Sequence, residues 1–224
     1  MTTTPILYSL QNCPYAMRAR IAIFKAKQQV LIRAITLSNK PKEMLLVSPK
    51  GSVPVLVLQE NGSSNTVKVI EESLEVMLWA LSLNDPDNLL CADDDEALSA
   101  MMTFIARFEH EFIPALNAYG CAKRYHDENE DECRHACEVY LASLESRLIQ
   151  YPFLFSSHES LVDIAVLPFL RKFARIDKAW FRQSPYPRLR EWLNGYLQSQ
   201  MFSKVMAKHE LWLDNRENIN FGYV

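Results

Sequence analysis

Asn12-Cys13-Pro14-Tyr15-Ala16-Met17-Arg18-Ala19-Arg20 is the stretch that decides the reading of this chain. The apolar run before it, Pro5 to Leu10, reads as a strand. After it, Met17, Ile21 and Phe24 recur at helical spacing. Cys13 therefore sits where a strand gives way to a helix. Pro14 suits a first helical position, where a missing N–H costs little. A thiol at such a point faces the free N–H groups and partial positive charge of the helix N-terminus, which favour the nucleophilic thiolate. Arg18 and Arg20 add positive charge nearby. The same pattern also fits a small cysteine buried at a strand–helix junction, so the motif alone leaves both readings open.

Beyond this helix, taken to run over residues 14–28, the chain continues as a mixed sheet. Val30 to Leu37 is rich in β-branched and aliphatic residues and reads as a strand, and Lys40 to Val47 as a short helix. Val53 to Leu58 and Thr66 to Ile70 are two further strands, with Asn61-Gly62 as the hairpin turn between them. Glu72 to Leu83 is a third helix. The order β-α-β-α-β-β-α places helices against a mixed sheet. Asn84-Asp85-Pro86-Asp87-Asn88 breaks the pattern. The remainder of the chain looks helical: Ala97 to Tyr119, Asp131 to Gln150, Ser160 to Phe173, and one or two helices over Pro187 to Lys208. The fold class predicted is α/β plus all-α. An α/β domain over residues 1–83 and a linker over 84–94 precede an all-helical domain over 95–224.

Composition narrows the function. Of the 224 residues, 49% are hydrophobic, enough for a sizeable core, and a net charge of −3 offers no footprint for nucleic acid. No stretch of about 18 consecutive apolar residues suggests a membrane span. Met1-Thr2-Thr3-Thr4-Pro5 lacks the pattern of a signal peptide. The five cysteines, Cys13, Cys91, Cys121, Cys133 and Cys137, are odd in number and irregularly spaced, which fits a reducing compartment. These features predict a cytoplasmic protein. Cys133 and Cys137 share a helix face with His126 near in sequence, but His135 points off that face and no fourth ligand is evident. No metal is predicted.

Three features accompany Cys13 in the first domain. Val53-Pro54 heads a strand, where proline is at home. A cis bond there would turn the Val53 N–H and C=O outward, ready to pair with an extended peptide. Glu72-Ser73 starts a helix, where a serine is ordinarily a cap, yet a helix N-terminus also takes a carboxylate, and Glu72 suits an ammonium. Lys40 is a cation within reach of a second carboxylate. Together these ask for a ligand with a thiol-reactive centre, a short extended backbone and a carboxylate at each end. Glutathione fits.

At this point the chain resembles the glutathione transferase family, in its cysteine-type, omega-like branch. The carriers are Cys13-Pro14-Tyr15-Ala16 with Arg18 and Arg20, Asn39-Lys40-Pro41, Gly51-Ser52-Val53-Pro54-Val55-Leu56, Glu72-Ser73, and Ser160-Leu161-Val162-Asp163-Ile164-Ala165. The resemblance implies a thioredoxin-like first domain that binds glutathione and a helical glutathione transferase domain behind it. It implies Cys13 as the nucleophile that forms a mixed disulfide with glutathione, and Tyr15 beside the cysteinyl part. Lys40 would take the glycine carboxylate, Val53 would pair with the cysteinyl backbone before a cis Pro54, and Glu72 with Ser73 would hold the γ-glutamyl end. Ser160 and Asp163 look like the family's capping box, although His158 stands where the family often has glycine. Arg107 and Phe108 are expected at the second-substrate pocket, and a homodimer is expected as in the family.

Ala16 replaces what would be the second cysteine of a dithiol pair, so the resolving thiol must come from outside. Tyr8 and Ser9 occupy places where other branches keep an activating hydroxyl; beside Cys13 they read as strand residues. The expected activity is glutathione-dependent thiol transfer or reduction, with conjugation of electrophiles secondary, on a disulfide or electrophilic second substrate. The alternative is a non-catalytic binding or regulatory protein of the same fold. The intact Cys13 and the complete glutathione set argue against it.

Overall fold

A computed structural model of the chain describes residues 4–59 and 67–222. The Asn61-Gly62 turn and Thr66 lie outside the described residues. The elements run β1 (Ile6–Ser9), α1 (Pro14–Lys25), β2 (Gln29–Ala34), α2 (Lys42–Val47), β3 (Val55–Gln59), β4 (Val67–Ile70) and α3 (Ser73–Leu83). Then come α4 (Ala97–Tyr125), α5 (Glu130–Gln150), α6 (Leu161–Ile176), α7 (Lys178–Gln183), α8 (Pro187–Leu197), α9 (Gln200–Val205), α10 (Trp212–Asn215) and β5 (Ile219–Gly222). The expected β-α-β-α-β-β-α order is present, and this is the thioredoxin-like arrangement.

The sheet order is β4-β3-β1-β2-β5. β1 and β2 are parallel and joined through α1, whereas β3 is antiparallel to both β1 and β4. Side chains alternate across the strands. Tyr8, Val55 and Val57 share one core cluster with Ala16 and with Met44 of α2. The alternate residues Leu7 and Leu56 are equally buried and point the other way. α1 packs against α3 and α9. It stops three residues short of the predicted end because Lys27 takes a left-handed φ of 52°. The Lys27 and Gln28 N–H groups then bond back to Phe24 O and Ile23 O, closing the helix as a Schellman motif.

The C-terminal segment departs from the expectation of an all-helical domain over 95–224. The compact units are Met1–Pro86 with Gln200–Val224, and Asp87–Ser199. β5 pairs antiparallel with β2, placing Phe221 opposite Val30. Gly222 (φ +110°) is needed there, since a Cβ would lie 1.8 Å from Gln28 O. Residues 87–94, read as linker, also belong to the helical unit, where Leu89 is fully buried and its carbonyl accepts from Leu161 N at 2.8 Å.

In the helical unit α4 packs on α5 and α6, and α5 on α8. Phe173 of α6 is an aromatic hub, touching Phe112, Tyr119, Trp180 and Phe181. The Ser160/Asp163 capping box is present. Asp163 Oδ2 accepts from Ser160 N at 3.0 Å and Ser160 Oγ at 2.9 Å. Its Oδ1 accepts from Leu154 N at 2.8 Å and Trp192 Nε1 at 3.2 Å. Burial pushes this carboxyl up to about 6 despite those bonds. Buried Glu145 plays a similar part across helices, accepting from the Arg188 and Leu189 N–H groups at the start of α8. Among the described residues no helix is long and apolar enough to cross a membrane.

Candidate functional site

β1 ends at Ser9, and Leu10–Asn12 carry the chain to Cys13, the N-cap of α1 (φ −72°, ψ 123°), with Pro14 in the first turn. Cys13 N donates to Leu10 O at 3.2 Å, and Met17 N donates to Cys13 O at 2.9 Å, which starts the helix. The cysteine side chain makes no capping bond, so it is not spent on the helix it precedes. Cys13 is half-buried, with Sγ 3.9 Å from Val53 O. The Val53–Pro54 bond is cis. The thiol and the carbonyl just before Pro54 thus share one edge of the sheet unit.

The other predicted positions cluster on the loops of the same unit. Gly51 has a φ of +62°, and a Cβ there would lie 3.2 Å from Lys40 Nζ and from Leu45 Cδ2. Glycine therefore lets the Lys40 ammonium lie directly over the loop that leads to Val53. Lys50 pairs with Glu72, which holds the lysine above its ordinary pKa. Glu72 is the N-cap of α3 but makes no side-chain cap bond. Buried Ser48 donates from Oγ to Glu71 Oε1 at 2.5 Å and ties the two loops together. Ser73 is the first residue of α3, and its Oγ accepts from Arg18 Nε at 2.9 Å. Tyr15 is partly exposed, its ring 5.5 Å from Arg18 Cζ. Cys13 thus meets Val53 beside Pro54, Arg18 meets both Tyr15 and Ser73 beside Glu72, and Lys40 lies against Gly51, two residues before Val53. Chemically the rim offers a thiol, a backbone carbonyl, a cation and a helix N-terminus.

The two arginines of the thiol motif are buried and engaged by neighbouring groups. Arg18 reaches Ser73. Arg20 is buried and donates to Ser9 Oγ, Leu10 O, Gln11 O and Val205 O. It thereby pins the loop before Cys13 to the end of α9. Tyr8 and Ser9 are core strand residues as expected; Arg33 Nη1 donates to Tyr8 Oη at 2.7 Å.

Cys13 also lines a cleft of about 720 Å³ within this unit, walled by the loop before it, by Ile32 and Ile35, and by residues 207–211 with Asp214. The C-terminal segment that makes this wall is held by Trp212, whose ring lies 4.1 Å from Arg33 Cζ and 4.4 Å from Arg216 Cζ. His209 belongs to the same wall, and burial together with Arg20 lowers its pKa. Sequence reasoning missed this wall; the alternation of Ile219 and Phe221 was the one signal that the segment returns to the sheet.

Arg107 and Phe108, expected at the second-substrate pocket, border a smaller cavity within the helical unit. Phe108 is a core residue stacked on Phe112 at 4.8 Å, while exposed Arg107 pairs with Glu111 at 3.0 Å. The cavity they border in the helical unit is about 150 Å³, well under the several hundred Å³ typical of a ligand site. Cys137 is buried and its thiol is pushed up to about 12, whereas His135 is exposed. Among the described residues no group of three or more His, Cys, Asp or Glu is placed to hold a metal.

The comparisons with known proteins agree with this architecture. Residues 7–87 match the model of the glutathione S-transferase N-terminal domain, and residues 136–195 that of the C-terminal domain. The chain is 28% identical over 222 residues to glutathione S-transferase L3 of Arabidopsis thaliana, covering 92% of this chain and 86% of that protein. It is 31% identical over 178 residues to protein IN2-1 homolog B of Oryza sativa subsp. indica, covering 76% of this chain and 65% of that one. A glutathione transferase family member from Pseudomonas fluorescens, solved with two glutathione bound, superposes with a TM-score of 0.76 at 16% identity, over 91% of this chain and 92% of that one. Two domain models in the right order, on a thioredoxin-like unit and a helical unit, lead to one conclusion: the chain belongs to the glutathione S-transferase family.

Proposed function

We propose that this protein is a cysteine-type, omega-like glutathione transferase that carries out glutathione-dependent thiol transfer through Cys13. The observation that carries the reading is the placement of Cys13. Its side chain is free of capping duty at the N-terminus of α1 and lies 3.9 Å from the Val53 carbonyl. A glutathione whose cysteinyl backbone pairs with Val53 brings its sulfur beside that thiol. Lys40 takes the glycine carboxylate, Ser73 and the start of α3 take the γ-glutamyl carboxylate, Glu72 takes the γ-glutamyl ammonium, and Tyr15 flanks the cysteinyl part. Solved relatives with bound glutathione support the ligand.

The chemistry is thiol–disulfide exchange. The Cys13 thiolate attacks the glutathionyl sulfur of a mixed disulfide. A Cys13–glutathione disulfide forms, and the substrate leaves as a thiolate that takes up a proton. A glutathione thiolate then attacks the glutathionyl sulfur on Cys13, giving glutathione disulfide and restoring the Cys13 thiolate. Conjugation of electrophiles is a secondary activity. The protein acts as a cytoplasmic homodimer.

The test pairs a glutathione-binding measurement with a thiol-transfer assay on a glutathionylated model disulfide. Cys13→Ser is expected to retain glutathione binding and to lose transfer by at least about 100-fold, the scale of losing a covalent nucleophile. Wild-type transfer by the serine variant would overturn the mechanism. Tight binding without transfer by the native protein would favour a binding role.

A further inference from the structure

We propose that Arg18 is a positioning residue for the anionic end of glutathione, acting through the hydroxyl of Ser73. The inference rests on the reading of Ser73 given above and assigns the group that makes Ser73 a donor.

Arg18 and Ser73 are both about 97% buried, being 3% exposed each, and Arg18 Nε donates to Ser73 Oγ at 2.9 Å. A serine hydroxyl has two lone pairs and one proton. A guanidinium N–H occupies a lone pair and cannot accept, so the proton of Ser73 is turned toward some other acceptor. A donor that carries charge also polarises the hydroxyl and strengthens the bond it donates. The surroundings have the same sign. Ser73 is the first residue of α3, whose first intrahelical bond here is Val76 N to Glu72 O at 3.0 Å. The N–H groups of Ser73, Leu74 and Glu75 therefore belong to the unsatisfied first turn. The Glu72 side chain does not cap them and instead meets Lys50. A hydroxyl proton, helix N–H groups and a guanidinium behind them make a site that selects a carboxylate over an amide or an ammonium.

Arg18 also lies on the helix that begins at Cys13, and α1 packs on α3. The same guanidinium that turns Ser73 thus couples the anion site to the nucleophile's helix.

The experiment is a double-mutant cycle on the full chain, with Arg18→Lys, Ser73→Ala and the double variant. Glutathione Kd is read by calorimetry, the steady-state constants in the thiol-transfer assay, and folding by thermal melting. Arg18→Lys is expected to raise Kd and KM for glutathione about tenfold, with kcat at saturating glutathione within about twofold of wild type. In the Ser73→Ala background the same change is expected to alter Kd by less than about twofold. Equal effects in both backgrounds would overturn the route through Ser73, as would an unchanged Kd in Arg18→Lys when Ser73→Ala does weaken binding. An unchanged Kd in Ser73→Ala would instead overturn the placement of the γ-glutamyl carboxylate, and the proposal with it. If Arg18→Lys melts early, Arg18→Gln and a glutathione analogue amidated at the γ-glutamyl α-carboxylate replace it. The analogue should bind wild type and Arg18→Gln equally; a persistent difference would contradict the proposal.

Discussion

Ser160 at the start of α6 and Ser73 at the start of α3 stand in opposite hydrogen-bond arrangements. Ser160 lies in a closed arrangement in which Asp163 accepts from the Ser160 backbone and hydroxyl, from Leu154 N and from Trp192 Nε1. Every acceptor position of that carboxylate is met from within the helical unit. Ser73 receives a hydrogen bond from Arg18, and the preceding Glu72 does not cap its helix. One helix start is completed by side chains of its own unit, and the other has no side-chain cap from the residue before it. The comparison separates two kinds of helix-start serine, and the proposed binding role of Ser73 rests on that difference: Ser160 sits as N-cap with its partner three residues on, whereas Ser73 sits one place inside the helix with its partner on another helix.

Breaking the closed start should give the largest effect. Asp163→Asn places an amide NH₂ against donors that now face a carboxylate. Leaving more than one buried donor unpaired should cost about 3 kcal/mol or more. Denaturant unfolding reads the loss, with glutathione affinity of the folded fraction unchanged. Wild-type stability with lost activity would mean that the two helix starts have been assigned the wrong way round.

Changing the open start should lower affinity. Ser73→Ala and Lys40→Ala should each weaken glutathione binding by about 1–3 kcal/mol in calorimetry, the range for a hydrogen bond to a charged group. Unfolding free energy should fall by less than about 1.5 kcal/mol for Lys40→Ala and by about 1–3 kcal/mol for Ser73→Ala, which removes the acceptor of the buried Arg18 Nε. Unchanged affinity in both variants would place the tripeptide elsewhere.

The smallest effect concerns the C-terminal segment that walls the cleft at Cys13. Burial and the nearby Arg20 charge hold His209 below the ordinary imidazole pKa. The unfolded chain therefore binds the proton more readily than the folded one. The contribution of His209 is present above the imidazole range and is lost as pH falls through it. Hydrogen exchange of the β5 amides should accelerate between ~pH 7.5 and ~pH 5.5, either side of the ordinary imidazole value, beyond the intrinsic pH effect. His209→Gln should remove that excess; an excess that survives would assign it to another group.

The element order of the first unit, and the places of Cys13, Pro54 and Ser73 at element starts, were legible because each rests on local chemistry: a proline at a helix start, a proline at a strand head, a serine at a helix start. What escaped depends on where long side chains turn. Arg18 and Arg20 read as charges near the thiol, yet their stems carry the guanidinium groups to Ser73 and to the loop before Cys13. Lys50 gave no sign that it would meet Glu72. Phe108 has the spacing of a core residue, and the structure keeps it in the core. β5 is four residues long and pairs with a strand near the opposite end of the chain, a partnership that no local pattern encodes.

The central claim is that Cys13 carries glutathione as a mixed disulfide. Intact-mass spectrometry and peptide mapping after brief exposure to glutathione disulfide near neutral pH test it directly. The account predicts one glutathionyl group per chain, located on Cys13, removed by added glutathione and absent from Cys13→Ser, while Cys91, Cys121, Cys133 and Cys137 stay unmodified. Equal labelling of the five cysteines, or a modified chain in which Cys13 is bare, would contradict it.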